Sequence, residues 1–335
     1  MPTFYPNKME ILVTGSAGFI GSHLSQRLLA AGFRVSGVDL LGASDPLLKF
    51  LQEGRLAQLR KFKHFNFLNC DIRDRSALSY LFKKKSFSQV IHLAGRAGVR
   101  ESFDKTEEYL SINVKGTAEV IRLTKDHKVG HFIFTSSSSV YGEVKGLMSE
   151  FFPLKPISPY GKSKLLMEKK LLTYADNCLR ITGFRPFSVY GPWGRPDMAY
   201  FKYTQQMTQG TPIELYNQGA HLRDFTFIDD VVEGLFRATL AYERNHISHV
   251  FKMYNLGKGK PEPLLQLVKY LETNLGIEAR LTFSNRQQGD VGETFADTSE
   301  LQKDFKFTPQ ITLEEGIKLF IQWWSKTLGL KGNQR

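Results

Sequence analysis

The chain has little cysteine, no long apolar run and a shortage of acid. Two cysteines, Cys70 and Cys178, stand in 335 residues. That excludes a disulfide framework and a zinc centre, and no metal site is expected. Both thiols sit in or beside apolar, strand-like runs, so buried free cysteines in a reducing, cytoplasmic setting are the expectation. No apolar stretch approaches the roughly 20 residues of a membrane-spanning helix, which excludes a helical membrane protein. No signal peptide precedes Met9, and Met1 to Lys8 reads as a short tail. Internal repeats and low-complexity tracts are absent, so solenoid and fibrous architectures drop out. Lys+Arg outnumber Asp+Glu by 45 to 33, a formal net charge of +12. Such a balance suits an anionic partner, either nucleic acid or a phosphorylated small molecule. The basic residues are scattered, however. Lys83-Lys84-Lys85 and Lys169-Lys170 are short runs with no aromatic-interleaved stripe beside them. They read as solvated helix ends, and no nucleic acid partner is expected.

What is present is a glycine-punctuated stretch, Met9 to Leu40. Ile11-Leu12-Val13 reads as a buried parallel strand. Gly15, Gly18 and Gly21 follow at spacings of three. Ile20, Leu24 and Leu28 then recur on one helical face. Gly32 stops the helix, and a second strand from Arg34 to Val38 ends at Asp39. This order predicts a β-turn-α-β unit that binds a dinucleotide. Gly15 lets the chain turn off the strand, Gly18 lets a pyrophosphate approach the backbone, and Gly21 lets the helix pack on the sheet. The helix N-terminus offers free N–H groups to the phosphates. Asp39 can accept the adenosine ribose hydroxyls, which favours NAD over the 2′-phosphorylated form.

Further strands are expected at Phe65–Asp71, Gln89–Ala94, His131–Phe134 and Arg180–Phe187. Helices are expected from the loop after Asp45 to Leu59, over Ser76–Phe82, as one long helix from about Thr106 to Asp126, and from Pro159 to about Tyr174. The alternation predicts an α/β fold with a doubly wound parallel sheet, the Rossmann arrangement. From Tyr190 the texture changes to a breaker-rich loop, Gly191 to Asp197. The expected organisation is a dinucleotide domain over 9–191, with returns to the sheet near 220–257, notably Phe225 to Ile228. A second, smaller α/β substrate-binding lobe is expected over 192–219 and 258–330. With 41% hydrophobic residues, the chain can fill both.

Three features carry chemistry. Thr135 to Ser139 puts a threonine and four serines at a strand end, where hydroxyls face a cleft. Tyr160 and Lys164 lie four apart at a helix start and share one face. An unperturbed tyrosine, with a pKa of about 10, is no base at neutral pH. A nearby lysine ammonium and a positive nicotinamide ring would stabilise the phenolate. Ser137 could hydrogen-bond the reacting oxygen as it becomes a carbonyl. Asn113, set between Ile112 and Val114, reads as a buried asparagine that braces a site.

With these residues the chain resembles the extended short-chain dehydrogenases/reductases, the NAD-dependent sugar epimerase/dehydratase family, from Ile11 to about Ala296. Within it the likeness is greatest to the UDP-glucuronate 4-epimerases. The residues that carry it are Ala97 to Arg100, Ser136 to Gly142, Ser158 to Gly161, Gly191-Pro192-Trp193-Gly194-Arg195-Pro196-Asp197-Met198-Ala199, Arg223 to Thr226 and Gly289 to Val291. The resemblance implies NAD as cofactor, a UDP-sugar as substrate and a homodimer formed through the helices over 106–126 and 158–174. It implies Tyr160 as acid and base, Lys164 as its partner and a ribose ligand, and Ser137 as hydroxyl anchor. Phe19, Ile20, Asp71, Ile72, Leu93, Ala94 and Asn113 would join the cofactor site. Arg223 would face phosphate and Asp290 a ribose hydroxyl. Ser188 and Arg195 would face the sugar carboxylate, with Arg100, Ser138, Ser139 and Gln287 also on the substrate side. The chain departs from the family at Leu40, where Asn is usual, and at Gly42 to Asp45, which lacks an aromatic pair. It departs also at Gly95 for Ala, Ser188 for Thr and Gln288 for Pro. A UDP-glucuronate decarboxylase, a UDP-hexose 4-epimerase and a non-catalytic NAD-binding regulator are the alternatives.

Overall fold

A computed structural model describes Pro6 and residues 9–329; the expected tail, Met1 to Lys8, otherwise lies outside the described residues. Strands β1 (Glu10–Thr14), β2 (Arg34–Asp39), β3 (Phe65–Asn69), β4 (Gln89–His92), β5 (His131–Thr135) and β6 (Arg180–Pro186) form one parallel sheet. The following strands are β7 (Ser188–Tyr190), β8 (Ile213–Tyr216), β9 (Leu222–Phe227) and β10 (Phe251–Leu256). Of these, β10 joins the large sheet, whose order is β10-β6-β5-β4-β1-β2-β3. Every pairing in it is parallel. The direction of winding reverses between β1 and β4, the switch point where open α/β sheets bind ligands.

The helices are α1 (Phe19–Ala30), α2 (Pro46–Leu59), α3 (Arg75–Lys84), α4 (Glu101–Asp104), α5 (Thr106–Leu110), α6 (Thr117–Asp126), α7 (Pro159–Leu172), α8 (Ala199–Thr208) and α9 (Ile228–Glu243). Alternation along β1 divides the core. Ile11 and Val13 pack with Leu24 and Leu28 of α1 and with Val231 and Leu235 of α9. Leu12, between them, packs on the opposite face with Leu78 of α3, Val120 of α6 and Met167 of α7. A parallel strand covered on both sides has to be apolar at every position, and Ile11, Leu12 and Val13 are all fully buried.

The chain goes on with β11 (Pro261–Pro263), α10 (Leu264–Leu275), β12 (Leu281–Ser284), α11 (Ser299–Phe305) and α12 (Leu313–Thr327). Strands β11, β9 and β7 make a three-stranded sheet, and β12 pairs with β8. The return to the large sheet is therefore β10. Phe225 to Ile228, expected there, instead closes β9 and opens α9. No helix among the described residues is long and apolar enough to cross a membrane.

Two local readings are corrected. The helix expected over 106–126 is broken by a π-helical segment, Ser111–Gly116. The wider turn brings the Asn113 side chain inward, a use such bulges often have at functional sites. Cys178 is exposed, whereas Cys70 is buried. The Asp176 carboxylate accepts the N–H groups of Cys178 and Leu179 at 2.9 and 2.8 Å. That turn buries Leu179 as the lead-in to β6 and leaves Cys178 at its tip.

One interaction fixes α7 to the sheet. Arg185 of β6 donates from Nε and Nη2 to both oxygens of Glu168 at 3.0 and 2.8 Å. The two side chains are only 4% and 6% exposed. Arg185 also donates to the Tyr141 hydroxyl at 3.0 Å. Removing one member of a buried pair strands the other charge. Glu168→Ala should lower the unfolding free energy by about 3–5 kcal/mol in chemical denaturation. A loss no larger than that of an exposed pair, under about 1 kcal/mol, would show that α7 is held by its other contacts without this pair.

Candidate active site

The turn after β1 is built by backbone contact. Gly15 stands at φ +75°, a region closed to most side chains. A Cβ there would lie 2.6 Å from the Ala94 nitrogen, and one on Gly21 would run into the Gly15 carbonyl oxygen. The turn, the start of α1 and the end of β4 thus meet without side chains between them. Gly18 is the N-cap of α1 and supplies no side-chain cap to Phe19, Ile20 and Gly21. Leu93 donates its N–H to the Thr14 carbonyl at 3.1 Å, and Ala94 to the Thr14 hydroxyl at 3.3 Å. Asp39, at the end of β2, accepts the N–H of Ala17 through Oδ2 and its neighbour Leu40 through Oδ1, both at 2.9 Å. Burial lifts its pKa to about 6, against the pull of those N–H groups and of Arg55. Further along, Asp71 pairs with Arg73 at 2.5 Å, and that hydrogen bond holds its carboxyl below the usual range. Ile72 is buried beside Gly116. A glycine cradle, an uncapped helix start and an acid at the second strand end are the parts that fit a dinucleotide.

The catalytic candidates converge beyond β5 and at the start of α7. Ser158 caps α7 by accepting the Gly161 N–H at 3.1 Å, and Pro159 opens the helix. This fixes Tyr160 and Lys164, both buried, on its inner face. The Ser137 side chain stands close enough to the Tyr160 phenol to favour its ionised form. Lys164 Nζ donates to the Thr135 carbonyl at 3.0 Å. Burial lowers the Lys164 pKa to about 8. Burial also raises that of Tyr160, while Ser137 and Arg195 pull it down. The cation set against the phenol is thus Arg195; Lys164, expected there from the sequence, instead donates to the Thr135 carbonyl. Tyr109 meets the Tyr160 ring edge-on, with centroids 6.1 Å apart.

Asn113 is fully buried and braces this region. Its Oδ1 accepts the Arg96 N–H at 2.8 Å, and its Nδ2 donates to the Arg96 carbonyl at 3.0 Å and to Ser163 Oγ at 2.9 Å. It thereby ties the loop after β4 to α7. The departure at Gly95 has its reason here: a methyl group would stand 2.8 Å from Asn113 Oδ1 and 3.4 Å from Lys164 Nζ. Behind it His92 lies between Thr14 Oγ1 at 2.7 Å and Thr117 Oγ1 at 2.8 Å. Burial keeps His92 neutral, with a pKa near 3.

On the opposite wall Arg195 leaves the loop 191–197. Its Nε and Nη2 hold both oxygens of Asp197 at 3.0 and 2.5 Å. Its side chain keeps 31% exposure, so it is not sealed in the core. Arg100 lies 4.5 Å above the Tyr216 ring and 3.7 Å from Asp290. Gln287 lies near Tyr216, whose hydroxyl donates to Glu214 at 2.6 Å. Arg223, expected to face phosphate, donates to the Val291 carbonyl at 2.8 Å and the Gly292 carbonyl at 3.2 Å. Those bonds hold the segment that carries Asp290. Ser138 and Ser139 are half-buried in a short turn, where Ser139 donates its N–H to Ser137 Oγ at 3.1 Å. Ser188 opens β7, half-buried. Sequence reasoning gave no part to Glu168, Asp197 or Arg55. Glu168 could have been found as the next position on the Tyr160–Lys164 face. The other two depend on contacts distant in sequence or across a loop.

The chain is similar to proteins of known family and structure. Residues 11–257 match the model of the NAD dependent epimerase/dehydratase family. The UDP-glucuronate 4-epimerase of Thermodesulfobacterium geofontis is 37% identical over 325 residues, covering 95% of this chain and 97% of that protein. The UDP-glucuronic acid 4-epimerase of Bacillus cereus, solved with UDP-glucuronic acid and NAD, superposes with a TM-score of 0.87. It is 33% identical and covers 95% of this chain and 99% of its own. The UDP-glucose 4-epimerase of Thermotoga maritima, solved with UDP-glucose, gives 0.85 at 29% identity, covering 96% and 100%. From the glycine cradle to the tyrosine and lysine of α7, this chain belongs to the NAD dependent epimerase/dehydratase family and is an NAD-dependent nucleotide-sugar epimerase.

Proposed function

We propose that the protein interconverts UDP-glucuronate and UDP-galacturonate at carbon 4 through a 4-keto intermediate. The observation that carries this is Arg195, a guanidinium on the cleft wall close enough to Tyr160 to favour its phenolate. A neutral hexose has no need of such a fork, whereas a uronate carboxylate matches it. NAD, when bound, supplies the acceptor that takes the carbon-4 hydride and gives it back on the other face. Tyr160 receives the proton of the carbon-4 hydroxyl and later returns it. Ser137 donates to the oxygen while it is a carbonyl. Lys164 and Arg195 supply the positive charge that the phenolate needs. In the cofactor half Asp39 accepts the ribose hydroxyls, and the uncapped N–H groups of α1 meet the pyrophosphate.

The intermediate is a β-keto acid. It loses CO₂ when the carboxylate bond aligns with the carbonyl π system, so an epimerase has to hold the carboxylate near the carbonyl plane. Asp197 occupies the Nε–Nη2 edge of Arg195. The remaining edge, with Nη1, is free to take the sugar carboxylate, and the Ser188 hydroxyl can join it. Asp290 and Arg100 stand on the side given to the UDP moiety. The reading extends to a cytoplasmic homodimer. Both cysteines are free thiols, and α7 exposes Leu166 and Leu172.

Incubation with UDP-glucuronate, followed by proton NMR, should give a mixture with UDP-galacturonate. A UDP-pentose as the sole product would convert the assignment to a decarboxylase. Conversion of UDP-glucose alone would make it a hexose epimerase.

Tyr160→Phe removes one oxygen and keeps the ring in its packing. It should leave the melting temperature and NAD binding unchanged while turnover all but disappears; retention of most of the rate would remove Tyr160 from proton transfer. Asp39 has to be ionised to accept two hydroxyls, and its pKa in the free protein is about 6. NAD affinity should therefore weaken as pH falls below about 6, by up to about tenfold per unit. Asp39→Asn should bind more weakly and lose that slope, which calorimetry at several pH values will measure. Arg195→Ala should lose about 2–4 kcal/mol of transition-state stabilisation with UDP-glucuronate and far less with UDP-glucose. It should also release some UDP-pentose, seen by mass spectrometry. An equal loss on the two substrates would detach Arg195 from the carboxylate.

A further inference from the structure

Arg55 belongs to α2, in the dinucleotide half of the molecule, yet it is spent mainly on the loop that carries Arg195. It is 6% exposed. Its Nε donates to the Trp193 carbonyl at 2.8 Å, and Nη2 donates to the same oxygen at 2.5 Å and to the Gly194 carbonyl at 3.0 Å. Its Nη1 reaches the other way, to the Ala17 carbonyl at 3.4 Å. Ala17 lies in the glycine turn, and its N–H is the one held by Asp39. A single planar guanidinium thus spans the dinucleotide turn and the loop 191–197.

The loop end of this span is unusual. Trp193 adopts φ +58°, a left-handed conformation that bulky residues rarely hold. Its indole lies against Gly54, where a Cβ would collide with the ring. Phe50 stacks at 6.3 Å and Trp323 packs at 5.3 Å between ring centroids. Gly54 and Arg55 are adjacent in sequence, one seating the ring and the other fixing the carbonyl. Two residues beyond Trp193 comes Arg195. Backbone strain of this kind persists only where the surroundings over-determine it, and here Arg55 supplies the polar part of that restraint.

We propose that Arg55 is a positioning residue: it fastens the strained Trp193 backbone to the dinucleotide turn and so couples NAD occupancy to the placement of Arg195. The catalytic consequence rests on the reading of Arg195 as the carboxylate ligand; the coupling itself does not. NAD ordering the turn at Ala17 steadies the loop through Arg55, and by linkage a ligand on Arg195 tightens NAD. Lysine at this position keeps the charge but is a point donor, unable to hold carbonyls on both sides as the fork does.

The test uses the full chain stripped of NAD and then reloaded, as wild type, Arg55→Lys and Arg55→Met, each checked by thermal melting. Amide hydrogen exchange is followed over residues 190–198. In the wild type NAD should slow exchange there on the order of tenfold. In Arg55→Lys, which retains the buried charge and folds even if Arg55→Met does not, NAD should still bind but the protection should vanish. Equal protection in wild type and Arg55→Lys, or no effect of NAD in the wild type, overturns the coupling. A second measurement reads the consequence: Arg55→Lys should lower kcat/KM for UDP-glucuronate on the order of tenfold and raise the UDP-pentose fraction. Affinity for UDP alone should stay within about twofold of wild type. A wild type that does not turn over UDP-glucuronate counts against the substrate reading, and the exchange result still decides the coupling.

Discussion

The contact on which the rest depends is between two pieces of backbone, the Gly15 turn and the Ala94 peptide. They approach so closely that a methyl group on Gly15 would stand 2.6 Å from the Ala94 nitrogen. This closeness joins β1 to β4 at the point where the sheet changes direction, and it aims α1 at the space above both. Every other part of the site is referred to that frame. Asp39 holds the Ala17 N–H of the turn, Thr14 holds Leu93 and Ala94, and Asn113 holds the loop that follows. A side chain at Gly15 or Gly21 would not merely crowd a ligand. It would separate the elements that define where the ligand lies.

That is why so much of the cofactor half could be read from residues alone. Glycine at a close approach, an apolar strand run and a helical repeat are local signals, and each has one physical cause. The elements from β1 to β6 follow from them. Asn113 was legible too, because a polar residue between apolar neighbours needs partners, though the π-helical turn that aims it was not. Nothing in the sequence distinguishes Ser111–Gly116 from ordinary helix. Cys178 stands beside the strand run that begins at Leu179, which suggests burial, but the Asx turn at Asp176 decides its side. Arg55 was illegible for a different reason. Its partner carbonyls lie 138 and 139 residues away, and a main-chain carbonyl leaves no trace in the sequence.

The electrostatics show what the motif leaves out. A tyrosine and a lysine four apart suggest a direct phenolate–ammonium pair. The structure instead hydrogen-bonds Lys164 to the Thr135 carbonyl and sets Ser137 and Arg195 near the Tyr160 phenol. Burial governs both, raising the phenol and bringing the ammonium down to about 8. Each is displaced toward its neutral form, as desolvation requires. Arg195, from the loop between β7 and α8, is the charge that opposes this at the phenol.

A site balanced in this way is sensitive to added charge. Coulombic effects grow as water is excluded, so one further positive charge near Tyr160 lowers its pKa more than it would at a surface. The same burial makes Lys164 easier to deprotonate, so that charge also favours passing a proton away. The geometry of Arg195 follows the same economy. Asp197 neutralises one edge of its guanidinium, which lets the side chain persist in a partly closed cleft, and leaves the other edge with its donors. On the proposed reading of Arg195, a substrate carboxylate would answer the remaining donors, whereas a neutral hydroxymethyl group would not. Discrimination would then arise from the cost of leaving that donor pair unanswered once the substrate excludes water, the kind of penalty that a simple hydrophobic pocket cannot impose.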